Sequence, residues 1–326
     1  MLTPPIEPML ARSADVLPPT RRAIDVLYQA KVDGFRTLVF VREGKVFLQS
    51  RRGADLTPAF GDVAAGGAQL VGEDVVLDGE LVVLGSGRLD FDALQQRARY
   101  RGRRATEAAA AAPAHLVVFD VVEHRGVSLM RRPLRERWDL LVELFERRGL
   151  RAPWSLVPCT RDRDVALGWF DSAWGEAGVE GCVVKPAGGL YRPGQRGGPG
   201  GWVKVRAYGT AEGIVAGVTG GLHAPQTLLL GRHDAADGLR MVARTTPLSP
   251  GARAQLGAVL VPAAAGHPWE GRRFLAGWGS REALEVRLVE PRVVVEFRVD
   301  SALDRGRHRH PVRYLRIRTD LLPDDL

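Results

Sequence analysis

The stretch YQAKVDGFR, Tyr28 to Arg36, carries one of only four lysines among the 46 basic residues of the chain. A composition that makes almost every cation arginine can dispense with lysine wherever charge, forked hydrogen bonding or phosphate attraction is all that is needed. What guanidinium cannot supply is a nucleophile. An amine that is partly desolvated, or set beside another cation, can lose its proton near neutral pH and attack an electrophile. An extended backbone through KVDG puts Lys31 and Asp33 on the same side, and Gly34 permits a turn or a close backbone approach.

The other lysines are Lys45 in REGKVF, Lys185 in EGCVVKP and Lys204 in GWVKVR. Lys45 follows a Glu-Gly pair between two apolar runs and reads as a solvated hairpin tip. In GWVKVR, strand alternation turns Trp202, Lys204 and Arg206 one way and Val203 and Val205 toward a core. Val183 and Lys185 likewise share a face of EGCVVK, with Cys182 and Val184 behind. The irregular loop GGLYRPGQRGGPGG, Gly188 to Gly201, joins these two strands. It could bring them near each other, so that both lysines point into one cleft as point charges for phosphate. LDGEL places Glu80 directly after a turn inside an apolar run. LVVFDVV presents Phe119 beside Asp120 in a strand that reads as buried, where an acid usually has a partner.

A chain of 326 residues, 45% hydrophobic, has room for two packed domains. Its net charge of +8 favours a polyanionic partner, nucleic acid foremost, although a GC-rich genome that writes arginine often would give the same balance. Cys159 and Cys182 stand alone in apolar surroundings, which supports neither a zinc site nor a disulfide framework and fits a reducing cytoplasm. No run approaches membrane-spanning length, and prolines break the opening MLTPPIEPMLARS where a signal peptide needs an apolar stretch.

Short Val- and Leu-rich runs predict strands over Thr37 to Arg42, Lys45 to Gln49, Val76 to Leu84, His115 to Val122, Gly181 to Lys185 and Trp202 to Val205. Helices are expected over Phe91 to Arg97 and Leu134 to Arg148, the latter from Leu134, Trp138, Leu141 and Leu144 at helical spacing. Arg101 to Pro113, rich in alanine, is an insertion or a short helix without assigned function. After Arg206 the pattern changes to five strand-like runs, AEGIVAGVTG, QTLLLGRH, LRMVARTT, RVVVEFRVD and VRYLRIRTD, with a helical RAQLGAVLVPA between them. This is the pattern of an oligonucleotide-binding (OB-fold) barrel, shared by other small barrels. The expected class is α+β: residues 1–206 form one domain and 207–326 an all-β second.

Each motif is weak alone, but KVDGFR, SRRG, LDGEL, VVFD, EGCVVK and WVKVR occur in order in one chain. That set resembles the covalent nucleotidyltransferases, the superfamily of DNA ligases, RNA ligases and mRNA capping enzymes. The wording of EPMLA, YQAKVDGFR and AEGIVAGVTG is most similar to short ATP-dependent bacterial DNA ligases of the actinobacterial type. The resemblance implies a nucleotidyltransferase (adenylation) domain of antiparallel sheets with flanking helices, ahead of the OB-fold. It implies that Lys31 attacks the α-phosphate of ATP and becomes AMP-lysine. Gln29 would lie against adenine, Arg36 and Arg51 would contact ribose or phosphate, Glu80 the ribose hydroxyls, and Phe119 would stack on the base. Glu180 and Asp33 would hold Mg2+, while Lys185 and Lys204 neutralise the α-phosphate. The last residue of WVKVR, often lysine in the family, is Arg206 here.

By the same resemblance, AMP passes from Lys31 to the 5′-phosphate of a nick in duplex DNA, and the 3′-hydroxyl then displaces it. RHPVRYLRIRTD, Arg309 to Asp320, is similar to the family's last motif, whose basic residues orient the leaving pyrophosphate. The family pattern ends Asp-Lys; here Leu321 follows Asp320, so the lysine's role is lost or passes to Arg316 or Arg318. A monomer acting in DNA repair, with other repair proteins as partners and no membrane, is expected. An NAD-dependent ligase would need a further N-terminal module ahead of Lys31 and usually four zinc-binding cysteines. An RNA ligase, a GTP-using capping enzyme, and a nucleic-acid-binding module without turnover stay as alternatives.

Overall fold

The YQAKVDGFR stretch is where the chain changes sheets. In the computed structural model, which describes residues 1–19, 25–85, 88–234, 238–275, 282–300, 303–304 and 306–326, Lys31 lies near the end of one strand and Phe35 opens the next. Only glycine fits between them: a Cβ on Gly34 would lie 2.3 Å from the Leu81 carbonyl oxygen. The chain divides into two compact units, Met1–Ala207 and Tyr208–Leu326.

The strands of the first unit are Arg12–Ala14 (β1), Val26–Val32 (β2), Phe35–Arg42 (β3), Lys45–Ser50 (β4), Val75–Gly85 (β5), Ala114–His124 (β6), Trp154–Leu156 (β7), Cys159–Thr160 (β8), Val179–Pro186 (β9) and Val203–Arg206 (β10). One sheet has the order β1-β10-β9-β2-β8. Its β1 runs parallel to β10, with Arg12 beside Val203, and its other pairs are antiparallel. The loop from Gly188 to Gly201 returns the chain so that Val183 faces Lys204 across β9 and β10. The second sheet runs β4-β3-β5-β6, with β7 added in parallel on β6 and short strands at Arg88–Leu89 and Val127–Ser128. Its core includes Val39, Leu48, Leu77, Leu81, Leu116, Leu141 and Leu144.

The longer helices of this unit are Phe91–Arg97 (α1), Gly102–Ala111 (α2) and Leu134–Arg148 (α3). The expected periodicity of α3 holds: Leu134, Leu141 and Leu144 are buried, and left-handed Gly149 ends the helix. The alanine-rich segment is helical. The partner that a buried Asp120 requires is Arg137 of α3, whose Nε and Nη2 each donate over 2.8 Å to the carboxylate; both side chains are fully buried. Lys45 opens β4 after a Glu43-Gly44 turn with positive φ at both residues and is exposed.

The second unit contains Tyr208–Gly221 (β11), Ala224–His233 (β12), Leu239–Arg244 (β13), Pro250–Gly257 (α4), Arg287–Asp300 (β14) and Arg313–Ile317 (β15). Its antiparallel sheet has the order β13-β12-β11-β14-β15. A parallel bridge from Thr245 to Val312 joins the two outer strands, so the sheet curls back on itself around Val215, Leu228, Leu230, Val295 and Phe297. The helix expected over RAQLGAVLVPA is shifted. Ser249 caps its start by accepting from the Ala252 N–H, Pro250 follows, and the helix ends at Gly257, where a Cβ would meet the His223 carbonyl at 2.1 Å. No helix among the described residues is long and apolar enough to cross a membrane.

Candidate active site

Register assembles the site. Gln29 on β2 lies opposite Cys159 and Val183, and Val183 lies opposite Lys204, so alternation gathers Gln29, Lys31, Lys185, Lys204 and Arg206 on one face. A register shift between Val179 and Cys182 carries Glu180 to Lys31. It depends on Gly181, whose φ of +126° favours glycine and whose Cβ would lie 2.3 Å from the Val205 carbonyl. The Lys31 ammonium contacts the Glu180 carboxylate, and Arg206 Nε is 3.6 Å from the same oxygen. Glu180 is buried, whereas the Lys31 side chain keeps 17% of its exposure.

Positive charge concentrates around this pair. Burial lowers the Lys204 pKa, and the nearby Arg206, Lys31, Arg196 and Arg51 lower it further. Arg51, exposed, follows β4 directly. Asp33 sits just beyond β2, its N–H donating to the Gly178 carbonyl at 3.1 Å. Lys185 is buried under two rings, its Nζ 3.9 Å from the Trp202 centroid and 4.4 Å from that of Phe119. Burial drops its pKa to about 7, with Asp120 pulling the other way. Trp202 does lie on the face of Lys204, but it is buried against Phe119 and Tyr191, so that face is cationic only toward Arg206.

The second sheet contributes the remaining wall. Arg36 faces Glu80 across β3 and β5. Burial pushes Glu80 up to about 8, against the pull of Arg36 and Lys31. Arg36 forks onto fully buried Asp78 and donates to the Met9 carbonyl at 3.1 Å, with its guanidinium carbon 4.5 Å from the Phe119 ring centre. The Tyr191 hydroxyl donates to the same carboxylate at 2.6 Å. Arg36 is therefore anchored from below. Gln29 Nε2 donates to the Phe119 carbonyl at 3.2 Å, while its buried Oε1 has no protein partner.

In the second unit, Arg316 Nε donates to Glu296 at 2.6 Å, and Arg318 donates to Glu212 and Asp320 at 2.8 to 2.9 Å. The hydrogen bonds from Arg318 hold Asp320 down at about 2. Leu321 packs against the cluster of Ile214, Leu229, Trp269 and Phe274.

Sequence reasoning named the site's lysines and Glu180 but missed Asp78, Tyr191 and Met9. A signal existed for Asp78, which stands two residues before Glu80 on the same strand face.

A buried amide oxygen in want of a donor, a ring, and a basic pocket around an amine suit a nucleotide whose phosphate meets that amine, as in nucleotidyl-transferring enzymes. The model of the ATP dependent DNA ligase domain matches residues 8–206. DNA ligase C of Mycobacterium tuberculosis is 31% identical, the match covering 98% of this chain and 92% of that one. The multifunctional non-homologous end joining DNA repair protein LigD of the same species is 30% identical over 93% of this chain and 37% of its own. A solved structure of mycobacterial DNA ligase D complexed with ATP and MES is similar with a TM-score of 0.53 and 26% identity, covering 98% of this chain and 97% of that one. The chain belongs to the family of ATP-dependent DNA ligases.

Proposed function

We propose that this ligase seals nicks in duplex DNA through an AMP adduct on Lys31. The Lys31 nitrogen bonds to the α-phosphorus of ATP, the bond to pyrophosphate breaks, and the amine loses its proton. The 5′-phosphate of the nick then takes the AMP, and the adjacent 3′-hydroxyl displaces it. The carrying observation is Lys31 against Glu180 inside a ring of cations, with the unpartnered Gln29 Oε1 nearby. That oxygen suits the amino group of adenine, Phe119 offers a face for stacking, and Glu80 can accept from ribose hydroxyls. Arg51, Lys185 and Lys204 neutralise phosphate charge, while Arg36, fixed by Asp78, supports the Phe119 platform. In-line positioning and charge neutralisation supply most of the barrier lowering in such transfers.

Glu180 and Asp33 fit Mg2+, which takes one or two carboxylates together with substrate phosphates. When bound, it supplies further neutralisation of phosphate charge.

The curled five-stranded sheet of the second unit we read as an OB-fold. Arg316 and Arg318 would exchange their present carboxylate partners for pyrophosphate. Leu321 serves packing, so Arg318 takes over the family lysine's role in this reading. The end-joining repair protein among the relatives supports action at broken DNA in repair.

The test incubates the protein with Mg2+ and labelled ATP, GTP or NAD, then with nicked duplexes carrying DNA or RNA at each side of the break. An acid-labile, base-stable adduct from ATP and sealing of the all-DNA nick are expected. An adduct from GTP or NAD instead, or sealing only with RNA at the break, would overturn the reading.

A further inference from the structure

The proposed reaction makes no use of the arginine stretch between α1 and α2. Residues 97–104 read RARYRGRR. Arg97 is buried and structural: its Nη1 and Nη2 donate to Asp62 at 3.0 and 2.7 Å. Arg99, Arg101, Arg103 and Arg104 are exposed. Arg103 pairs with Glu107 at 2.7 Å, but its side chain stays 92% exposed, and such surface pairs contribute little. Arg101 Nη1 donates to the carbonyls of Ala98 and Tyr100 at 2.8 and 2.7 Å, which fixes where its charge stands. The alanine helix behind them is anchored by buried Ala105. Four like charges within six residues repel one another, and two of them stand in the first turn of α2, where acidic residues are favoured. Neighbouring polyanion would turn that local cost into attraction.

The stretch also lies within reach of the site. The Phe91 ring, at the start of α1, is 5.4 Å from Phe35 of YQAKVDGFR. Seven helical residues at ~1.5 Å each carry the chain about 10 Å from there, roughly three nucleotides along one DNA strand at ~3.4 Å per charge. Guanidinium forks suit phosphate oxygens.

We infer that Arg99, Arg101, Arg103 and Arg104 form a surface that grips the phosphate backbone of duplex DNA a few base pairs from the break, a contact that rests on the ligase reading above. The test replaces all four by glutamine in the full chain, and separately by lysine, and measures nicked-duplex binding against salt together with adduct formation from ATP without DNA. Each phosphate contact contributes about 0.9 to the slope of log K against log salt, so the glutamine variant should be shallower by about 3 to 4. The lysine variant should keep the slope, and both should form adduct normally. An unchanged slope in the glutamine variant would refute the proposal, as would an equal loss of slope in the lysine variant. If the glutamine variant does not fold, Arg99→Gln and Arg104→Gln singly should each remove about 1, and no change in either counts against it. Absence of adduct in the unaltered protein would sink the ligase reading instead.

Discussion

Asp78→Asn asks whether charge holds the floor of the site. Asp78 is fully buried and accepts from Arg36 Nε, from Arg36 Nη2 at 2.7 Å and from the Tyr191 hydroxyl at 2.6 Å. Asparagine keeps the volume but has one acceptor oxygen, and its NH2 must face either a guanidinium or a phenol. Breaking a buried ion pair costs ~3 to 5 kcal/mol. Arg36 keeps 17% side-chain exposure and the Met9 carbonyl, which argues for the lower end, about 3 kcal/mol. At roughly 2 to 4 °C per kcal/mol for a domain of this size, the first unit should melt about 6 to 12 °C lower. Arg36 would also lose its place over Phe119, so the KM for ATP in adduct formation should rise more than kcat falls. Circular dichroism melts and initial rates of adduct formation measure both. Tyr191→Phe, which removes a donor to Asp78 and the acceptor of the buried Met9 N–H, is the control and should cost about 1 to 2 kcal/mol. A melting temperature for Asp78→Asn within about 2 °C of the unaltered protein would refute the reasoning.

Lys31→Arg keeps the charge against Glu180 but has no nucleophile, so ATP should still bind while the adduct disappears from intact mass spectra; a normal adduct would end the assignment. Burial lifts Glu80 to about 8, above the ~4.3 of an unfolded chain, so the folded protein holds a proton there that the unfolded chain releases. That contribution is full below pH ~4.3 and is lost as pH rises through about 8, so the melting temperature of the unaltered protein should fall relative to Glu80→Gln between those limits; a constant difference would contradict it. Arg318→Ala should slow adduct formation at least tenfold yet barely affect sealing of a nick that already carries AMP, and equal losses in the two assays would remove Arg318 from pyrophosphate departure.

The parts of the site that were readable in the sequence are those set by local rules. Alternation is a property of neighbouring residues, so Lys185 and Lys204 could be given a common face before their strands were seen to pair through Val183 and Lys204. The helix over Leu134 to Arg148 carried its own period and its glycine stop. Asp78 was readable only as a neighbour of Glu80 on one strand face, since its partner Arg36 lies 42 residues away, and Tyr191, 113 residues from Asp78, carried no local signal. Asp120 falls between, since burial demanded a partner but no local rule named Arg137, although it stands at helical spacing from Leu134 and Leu141. The misplaced helix before Pro262 has the opposite cause. Its apolar run was real, but a close approach to His223 ends the helix at Gly257.

The strand that bears Lys31 cannot be completed early in synthesis. Its neighbour in the sheet, β9, lies some 150 residues downstream, and β1 waits for β10, with Arg12 paired to Val203. Contacts this distant in sequence form slowly and late. On the ribosome β1 and β2 must therefore wait for these partners until most of the first unit has emerged. The hairpin of β3 and β4, by contrast, needs no such wait. Glu180, Lys204 and Arg206 arrive with the same late strands, so a nascent chain holds the proposed nucleophile long before the residues proposed to make it reactive. An unfinished copy of this protein should thus be unable to consume ATP.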